Sequence, residues 1–382
     1  MAPSMTSDLA PADLVRALAA HCSGDARALP GAFYTSPQFL ALEEDRLFRD
    51  GWLCLGRVDE TPDAGDYRTM TVLDEPLLIV RDGEGTIRVL SNVCRHRAAL
   101  VAQGSGNAPA FSCPYHAWTY RHDGSLIGAP MMRQVAGFDR AACALPEFRS
   151  EIWAGFLFVN LSGEAGPLAP DLAGLDPILR NYHPEAMRHA AVVEERWGTN
   201  WKSLFENFME GYHLSVVHEA SLKPITPTEL CEYFPGGPGF TGYRAHYTPA
   251  CPDRGDCHPD LTREERRCSV MVGIFPGLVM GVCPHQVLYM ALLPDGTDGV
   301  IARWGVAVHG EIAPEELERR LDLYHAANSE DKAQLERVTV GLRARAFAPG
   351  LLAPADYEGT IRDFQLYLGR MLVGVAAAEA AE

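Results

Sequence analysis

Positive charge is scarce in this chain. Its 33 Lys and Arg stand against 50 Asp and Glu, a net charge of −17, which argues against nucleic acid or an anionic membrane as partner. Long apolar runs are absent as well. Although 47% of the 382 residues are hydrophobic, no run approaches the length of a membrane span. The N-terminus lacks the basic n-region and apolar h-region of a signal peptide, and Asp8 and Asp13 interrupt the place where an h-region would sit.

Two further features are missing. No glycine motif has the context of a nucleotide-binding loop: Gly104-x-Gly106 lacks a third glycine and a following helix, and Gly237–Gly242 carries Pro238 inside a merely formal G-x-G-x-x-G. Cysteine spacing gives no disulfide framework either. Ten cysteines are few for the length, and Cys22, Cys54, Cys143, Cys231, Cys251, Cys257, Cys268 and Cys283 are scattered. A reducing cytoplasm is the expected compartment. Cys251, Cys257 and His258 sit in a polar stretch without a second Cys/His pair, which reads as an exposed loop rather than a metal site.

What is present is concentrated in two stretches. Ser91–Tyr120 contains Cys94-x-His96 and then Cys113-x-x-His116. A structural zinc site usually draws on C-x(2–4)-C or H-x(3–5)-H pairs, whereas each arm here supplies one Cys and one His. That pattern suits a two-iron cluster with both cysteines on one iron and both histidines on the other, a ligation that raises the reduction potential. Asp82-Gly83 and Asp123-Gly124, between β-rich runs, predict hairpins, so the two arms should lie at hairpin tips in a small antiparallel β domain.

The second stretch, Asn200–His218, places His213 five residues before His218. On a regular helix these lie about 140° apart, so aiming both at one metal requires a local break or bulge. Two histidines and a carboxylate from elsewhere would make the facial triad of a non-heme iron(II) site. An amphipathic core helix that happens to carry two histidines is the alternative.

Residues 1–30 are Ala-rich and read as peripheral, with a short helix capped by Ser7. Helical periodicity runs over 36–50. After the strand Gly155–Asn160 a stretch rich in Pro, Gly and Asp follows, and the boundary is placed near 160. The division expected is 1–35 as an N-terminal extension, 36–160 as the cluster domain and 161–382 as the catalytic domain. Val192–Trp197, Ser269–Ile274, Leu278–Val282, Gln286–Leu292 and Val300–Val308 read as strands. Pro314 to about Arg345 and Pro354–Leu372 read as helices, so the second domain is α+β.

The first stretch closely resembles the Rieske motif C-x-H-x(15–17)-C-x-x-H, including Arg97, Pro114, Tyr115 and Trp118. The second is similar to the signature N-W-K…E-N-F/Y-x-[DE]-x-Y-H-x(4)-H. Together they resemble the α subunit of a Rieske non-heme iron oxygenase over roughly residues 35–370. The resemblance implies a helix-grip (Bet v 1-like) catalytic domain, a [2Fe-2S] cluster on Cys94, His96, Cys113 and His116, and a mononuclear Fe(II) on His213 and His218. It draws the third ligand from Asn328–Lys332, where Asp331 is chosen and Glu330 is the alternative. It also implies O2 and a small organic molecule as substrates, and NAD(P)H acting only through a separate flavin/iron–sulfur reductase. Head-to-tail homotrimers follow too, with Glu210 bridging a cluster histidine of one subunit and an iron-ligand histidine of the next. Asn207 is placed near the iron, with Phe205, Phe208, Met209 and Tyr212 around it.

Most aromatic dioxygenases of the family carry Asp where Glu210 stands, and Glu occurs in the branch that oxidises carnitine and betaines. The expected activity is therefore monooxygenation or N-demethylation of a methylated amine. Cis-dihydroxylation of an arene is the second reading, and an electron carrier with a binding domain the third.

Overall fold

In the computed structural model, which describes residues 10–251 and 257–379, the chain falls into two units. One is Leu55–Ala165; the other joins Met1–Cys54 to Gly166–Glu382. Residues 36–54, expected in the first domain, thus group with the second. Burial explains it: Phe39, Leu47 and Phe48 are wholly buried, and Phe48 meets Trp201 edge-on with ring centroids 4.9 Å apart. The N-terminal stretch is not peripheral. Helix α1 (Pro11–Ser23) opens on a proline, as first turns tolerate, and buries Leu14, Val15 and Leu18. Ser7, the expected cap, lies outside the described residues.

The smaller unit is built of short strands: β1 (Leu53–Arg57), β2 (Asp66–Val72), β3 (Glu75–Arg81), β4 (Ile87–Ser91), β5 (Ser105–Asn107), β6 (Phe111–Ser112), β7 (Thr119–Tyr120), β8 (Leu126–Gly128), β9 (Arg149–Trp153) and β10 (Phe156–Asn160). They form sheets ordered β4-β3-β2-β5, β6-β7-β8 and β1-β10-β9. The Asp82 carboxylate accepts from the amides of Glu84 and Thr86 and closes the β3–β4 hairpin, the local bonding that makes Asp-Gly a turn signal. Gly124 turns β7 into β8 at φ +80°, where an added Cβ would lie 2.8 Å from the Leu145 carbonyl. Leu78, Leu90, Phe111, Trp118 and Tyr120 form the core, and Cys94 and Cys113 are buried in it.

The larger unit is one seven-stranded antiparallel sheet of β11 (Arg188–Trp197), β12 (Cys231–Phe234), β13 (Phe240–His246), β14 (Cys268–Ile274), β15 (Leu278–Cys283), β16 (Gln286–Pro294) and β17 (Val300–Val308). The order is β11-β17-β16-β15-β14-β13-β12: a meander to which β11 adds at the far edge. The formal glycine motif at 237–242 is the β12–β13 hairpin, closed by the Gly237 amide on the Phe240 carbonyl at 2.9 Å. Four further helices matter to the site: α2 (Trp201–Phe208), α3 (Leu214–Val217), α4 (Pro314–Leu342) and α5 (Ala355–Glu379). Helix α2 packs on β15 and β16, α5 on β12 and β13, and α3 on α4. A sheet gripped by helices is the α+β, helix-grip arrangement. No helix among the described residues is long and apolar enough to cross a membrane.

Candidate metal centres and substrate cavity

The two cysteine–histidine arms fold into matching loops. In each, the residue four after the cysteine takes positive φ, Ala98 at +59° and Ala117 at +56°, and its amide returns to the cysteine carbonyl at 3.0 Å. A left-handed alanine is costly, so the repetition marks loops shaped by what they hold. Cys94 and Cys113 are buried, whereas His96 and His116 are exposed. The two Nδ1 atoms approach to 3.2 Å, the Trp118 ring stacks on His96, and the Tyr120 hydroxyl reaches Cys94 Sγ at 3.3 Å. Two buried sulfurs and two surface imidazoles whose Nδ1 atoms face each other suit the donor set of a two-iron cluster with split ligation.

Helix α2 begins at Asn200, whose side chain accepts from the Lys202 amide and donates to the carbonyls of Tyr34 and Thr297. It stops at Phe208. Beyond it the Met209 carbonyl accepts from the Thr360 hydroxyl, and the Gly211 amide donates to the Tyr357 carbonyl at 3.1 Å. Gly211 has to be glycine, because an added Cβ would lie 2.4 Å from Cys231 Sγ. Helix α3 starts afresh after His213, which supplies the break that the five-residue spacing requires.

With the helix broken there, His213 Nε2 and His218 Nε2 lie 3.2 Å apart. Asp331, from α4, brings Oδ1 to 3.5 Å from the first and 3.1 Å from the second. Asn207 Nδ2 donates to the same Oδ1 at 3.2 Å. Each imidazole is fixed from its other nitrogen: His213 Nδ1 donates to Glu210 at 2.5 Å and His218 Nδ1 to Glu330 at 2.7 Å. Glu330 is secured in turn by the Ser221 hydroxyl at 2.5 Å. Carboxylates on the outer nitrogens leave both Nε2 lone pairs facing Asp331, the arrangement of metal-binding histidines.

His218 is 1% exposed. Its burial alone would lower its pKa, yet the bonds to Asp331 and Glu330 overcome this and hold it above the ordinary imidazole range. The pocket thus draws positive charge to the point where the three donors meet, and an iron(II) ion fits that demand. Glu330 sits on the wrong nitrogen of His218 to join the trio. Sequence reasoning named it as a possible ligand but missed this orienting place.

A cavity of about 160 Å³ opens beside the trio, a size suited to one small ligand. Alternate residues of successive strands face it: Tyr243 and Ala245, Ser269 and Met271, Gly281 and Cys283, Gln286 and Leu288. Phe208, Tyr247 and Tyr324 add aromatic surface, and no Lys or Arg is among the described lining residues. Of the aromatic and sulfur side chains expected around the metal, only Phe208 lines the cavity. Phe205 stacks on Phe364, Met209 is buried in the core, and Tyr212 is 57% exposed.

An antiparallel sheet gripped by helices, with a 2-His-1-carboxylate trio at its cavity and a separate β unit of Cys/His loops, is the architecture of a chain with two candidate metal centres. Residues 51–139 match the Rieske [2Fe-2S] domain and residues 181–374 the ring hydroxylating alpha subunit (catalytic domain). The chain belongs to that alpha-subunit family, and its cofactors are a Rieske [2Fe-2S] cluster and a mononuclear iron.

It is 33% identical over 197 residues to the carnitine monooxygenase oxygenase subunit of Escherichia coli K12, covering 51% of this chain and 53% of the relative. It is 37% identical over 201 residues to the glycine betaine monooxygenase oxygenase subunit of Chromohalobacter salexigens, covering 52% and 44%. With the chloroplastic choline monooxygenase of Atriplex hortensis identity is 31% over 201 residues, covering 51% and 46%. The matched region spans about half the length of these relatives. The fold is that of the quaternary ammonium Rieske monooxygenase CntA in complex with L-carnitine, at TM-score 0.81 and 23% identity over 92% of this chain and 98% of the other.

Proposed function

We propose that this chain is the oxygenase component of a monooxygenase that hydroxylates, and so N-demethylates, a small methylated quaternary amine. The observation that carries the reading is the cavity, where aromatic faces and the carboxylates of Glu210 and Asp331 meet without any Lys or Arg among the described lining residues. Aromatic faces attract a quaternary ammonium by cation–π interaction. The names of the relatives, acting on carnitine, glycine betaine and choline, agree with it.

His213, His218 and Asp331 would hold the iron, and Cys94, His96, Cys113 and His116 the cluster. When bound, the two groups supply dioxygen activation and single-electron delivery. The rest falls to the chain's own residues. Glu210 and Glu330 keep each imidazole's second proton and its direction, Asn207 steadies the ligand oxygen of Asp331, and the apolar wall excludes water from the N-methyl group. O2 is the cosubstrate. Electrons come from NAD(P)H through a separate flavin/iron–sulfur reductase, and cytoplasm is the compartment.

The assembly is a homotrimer in which Glu210 reaches a cluster histidine of the next subunit. The exposure of His96 and His116 supports this, since both imidazoles are accessible at the surface of their unit. Mixing His213→Ala subunits with Cys113→Ser subunits tests it: each is inactive alone, and activity returns on co-assembly. Failure of mixed oligomers to turn over would refute electron passage between subunits.

The substrate claim is tested by a single turnover of reduced, iron-replete protein with O2, followed by mass spectrometry of the products. Choline, which lacks a carboxylate for this cavity to pair, should react ahead of glycine betaine and carnitine, with formaldehyde or hydroxylated amine as product. A cis-diol from an aromatic panel, with the amines untouched, would establish the arene reading instead.

A further inference from the structure

Outside the cavity a second group of metal-type donors comes together in the larger unit. His183, at the turn between two short 3-10 segments, meets His258 and Asp260 from the loop before β14, and one donor atom from each lies within 4.8 Å of the others. His183 Nε2 is 2.9 Å from Asp260 Oδ2, and His258 Nδ1 is 3.6 Å from the same oxygen. Metal bonds of about 2.1 Å place neighbouring donors roughly 3.0 Å apart at right angles and roughly 3.4 Å apart in a tetrahedron. The corresponding His-to-Asp331 separations in the first trio are 3.5 and 3.1 Å.

The resemblance extends to the outer nitrogens. His183 Nδ1 faces Glu185 Oε1 at 3.1 Å, as His213 Nδ1 faces Glu210 and His218 Nδ1 faces Glu330. A carboxylate on Nδ1 leaves the Nε2 lone pair pointing at Asp260, an arrangement that a cation completes. The Asp260 amide donates to His258 Nδ1 at 3.3 Å, so that nitrogen carries a lone pair and not a proton, and an ion would take that lone pair in place of the amide. A third imidazole stands beside them. His309 packs against His258 with ring centroids 5.2 Å apart, and its Nδ1 is buried without a hydrogen-bond partner among the described residues. His183 itself is held at φ +46°, so the turn is kept in a left-handed conformation that aims this ring.

We propose that His183, His258 and Asp260 form a second metal site, separate from the iron trio, that takes a divalent ion of the imidazole-and-carboxylate class, zinc foremost. His183 lies 75 residues from His258 and 77 from Asp260 in the chain, so the ion clamps the His183 turn to the His258–Leu261 loop. The competing arrangement is an imidazolium of His183 paired with Asp260 and Glu185, with no ion.

The test equilibrates holoprotein with zinc chloride, removes free metal by desalting and measures zinc and iron together. Wild type should retain one zinc per chain with its iron unchanged. His258→Gln and Asp260→Asn should each lose that zinc while keeping iron content and cluster absorbance, which shows that they fold. The wild-type melting temperature should rise with zinc and that of the two variants should not. Zinc content equal in wild type and variants, or none retained by wild type, overturns the proposal in favour of the imidazolium pair.

Discussion

His218 is gripped on both sides of its ring, by Glu330 at Nδ1 and Asp331 near Nε2, and the two neighbouring acids of α4 therefore do different work. Asp331→Asn should abolish mononuclear iron while leaving the two cluster irons, so total iron falls from three to two per chain. Glu330→Gln keeps the trio intact and should weaken iron binding by roughly 10- to 100-fold, the usual effect of removing such a support. Metal titration followed by elemental analysis distinguishes the two, and equal loss in both variants would contradict the assignment. The family resemblance placed the carboxylate within Asn328–Lys332 and favoured Asp331 over Glu330, but spacing alone could not decide that register. Adjacent helix residues differ by 100° in direction, and only the packing of α4 against α3 sets which one reaches the Nε2 atoms of His213 and His218.

Helix α2 carries its own electrostatic burden. Lys202 and Glu43 form a pair 2.7 Å apart at 1% and 0% exposure, and burial pushes the lysine down and the glutamate up, each countered by the other. Glu206, one turn on, accepts from the Tyr34 hydroxyl. Its burial raises it to about 7, against the opposing pull of Tyr34 and Lys202.

A carboxyl raised in the folded state favours folding while protonated. The unfolded chain ionises near the ordinary glutamate value of 4.5 and the folded one at about 7, so stability falls across that window as pH rises and is flat above it. At about 1.4 kcal/mol per unit the loss is about 3 kcal/mol. Glu206→Gln should remove this slope, as read from denaturant midpoints at pH 5 and 8; an unchanged slope would exclude Glu206 as its source. The N-W-K signature was legible because its residues are consecutive. Its reason was not, because the partner Glu43 lies 159 positions away. The helix break, by contrast, followed from the spacing of His213 and His218 alone.

Across the whole molecule, what is local was readable and what is assembled from distant segments was not. The cluster loops, the Asp-Gly hairpins and the strands β14 to β17 stood out because each is encoded within a dozen residues. The extent of the larger unit did not, since residues 36–54 and α1 join it by burying apolar faces against segments more than 150 residues away, as Trp201 and Gln365 show. The cavity wall shows the same limit: period-two facing could be read in each strand, but which face looks inward depends on the helices that grip the sheet.

The central claim is that substrate oxidation occurs at His213, His218 and Asp331, fed by the Rieske cluster. His213→Ala, compared with wild type in a single turnover, tests it most directly: the cluster is reduced and then mixed with O2 and choline, and both cluster reoxidation and product are measured. The account predicts intact cluster spectra in both proteins, product from wild type alone, and no hydroxylated amine or formaldehyde from the variant. Product formation by His213→Ala at the wild-type yield would contradict it.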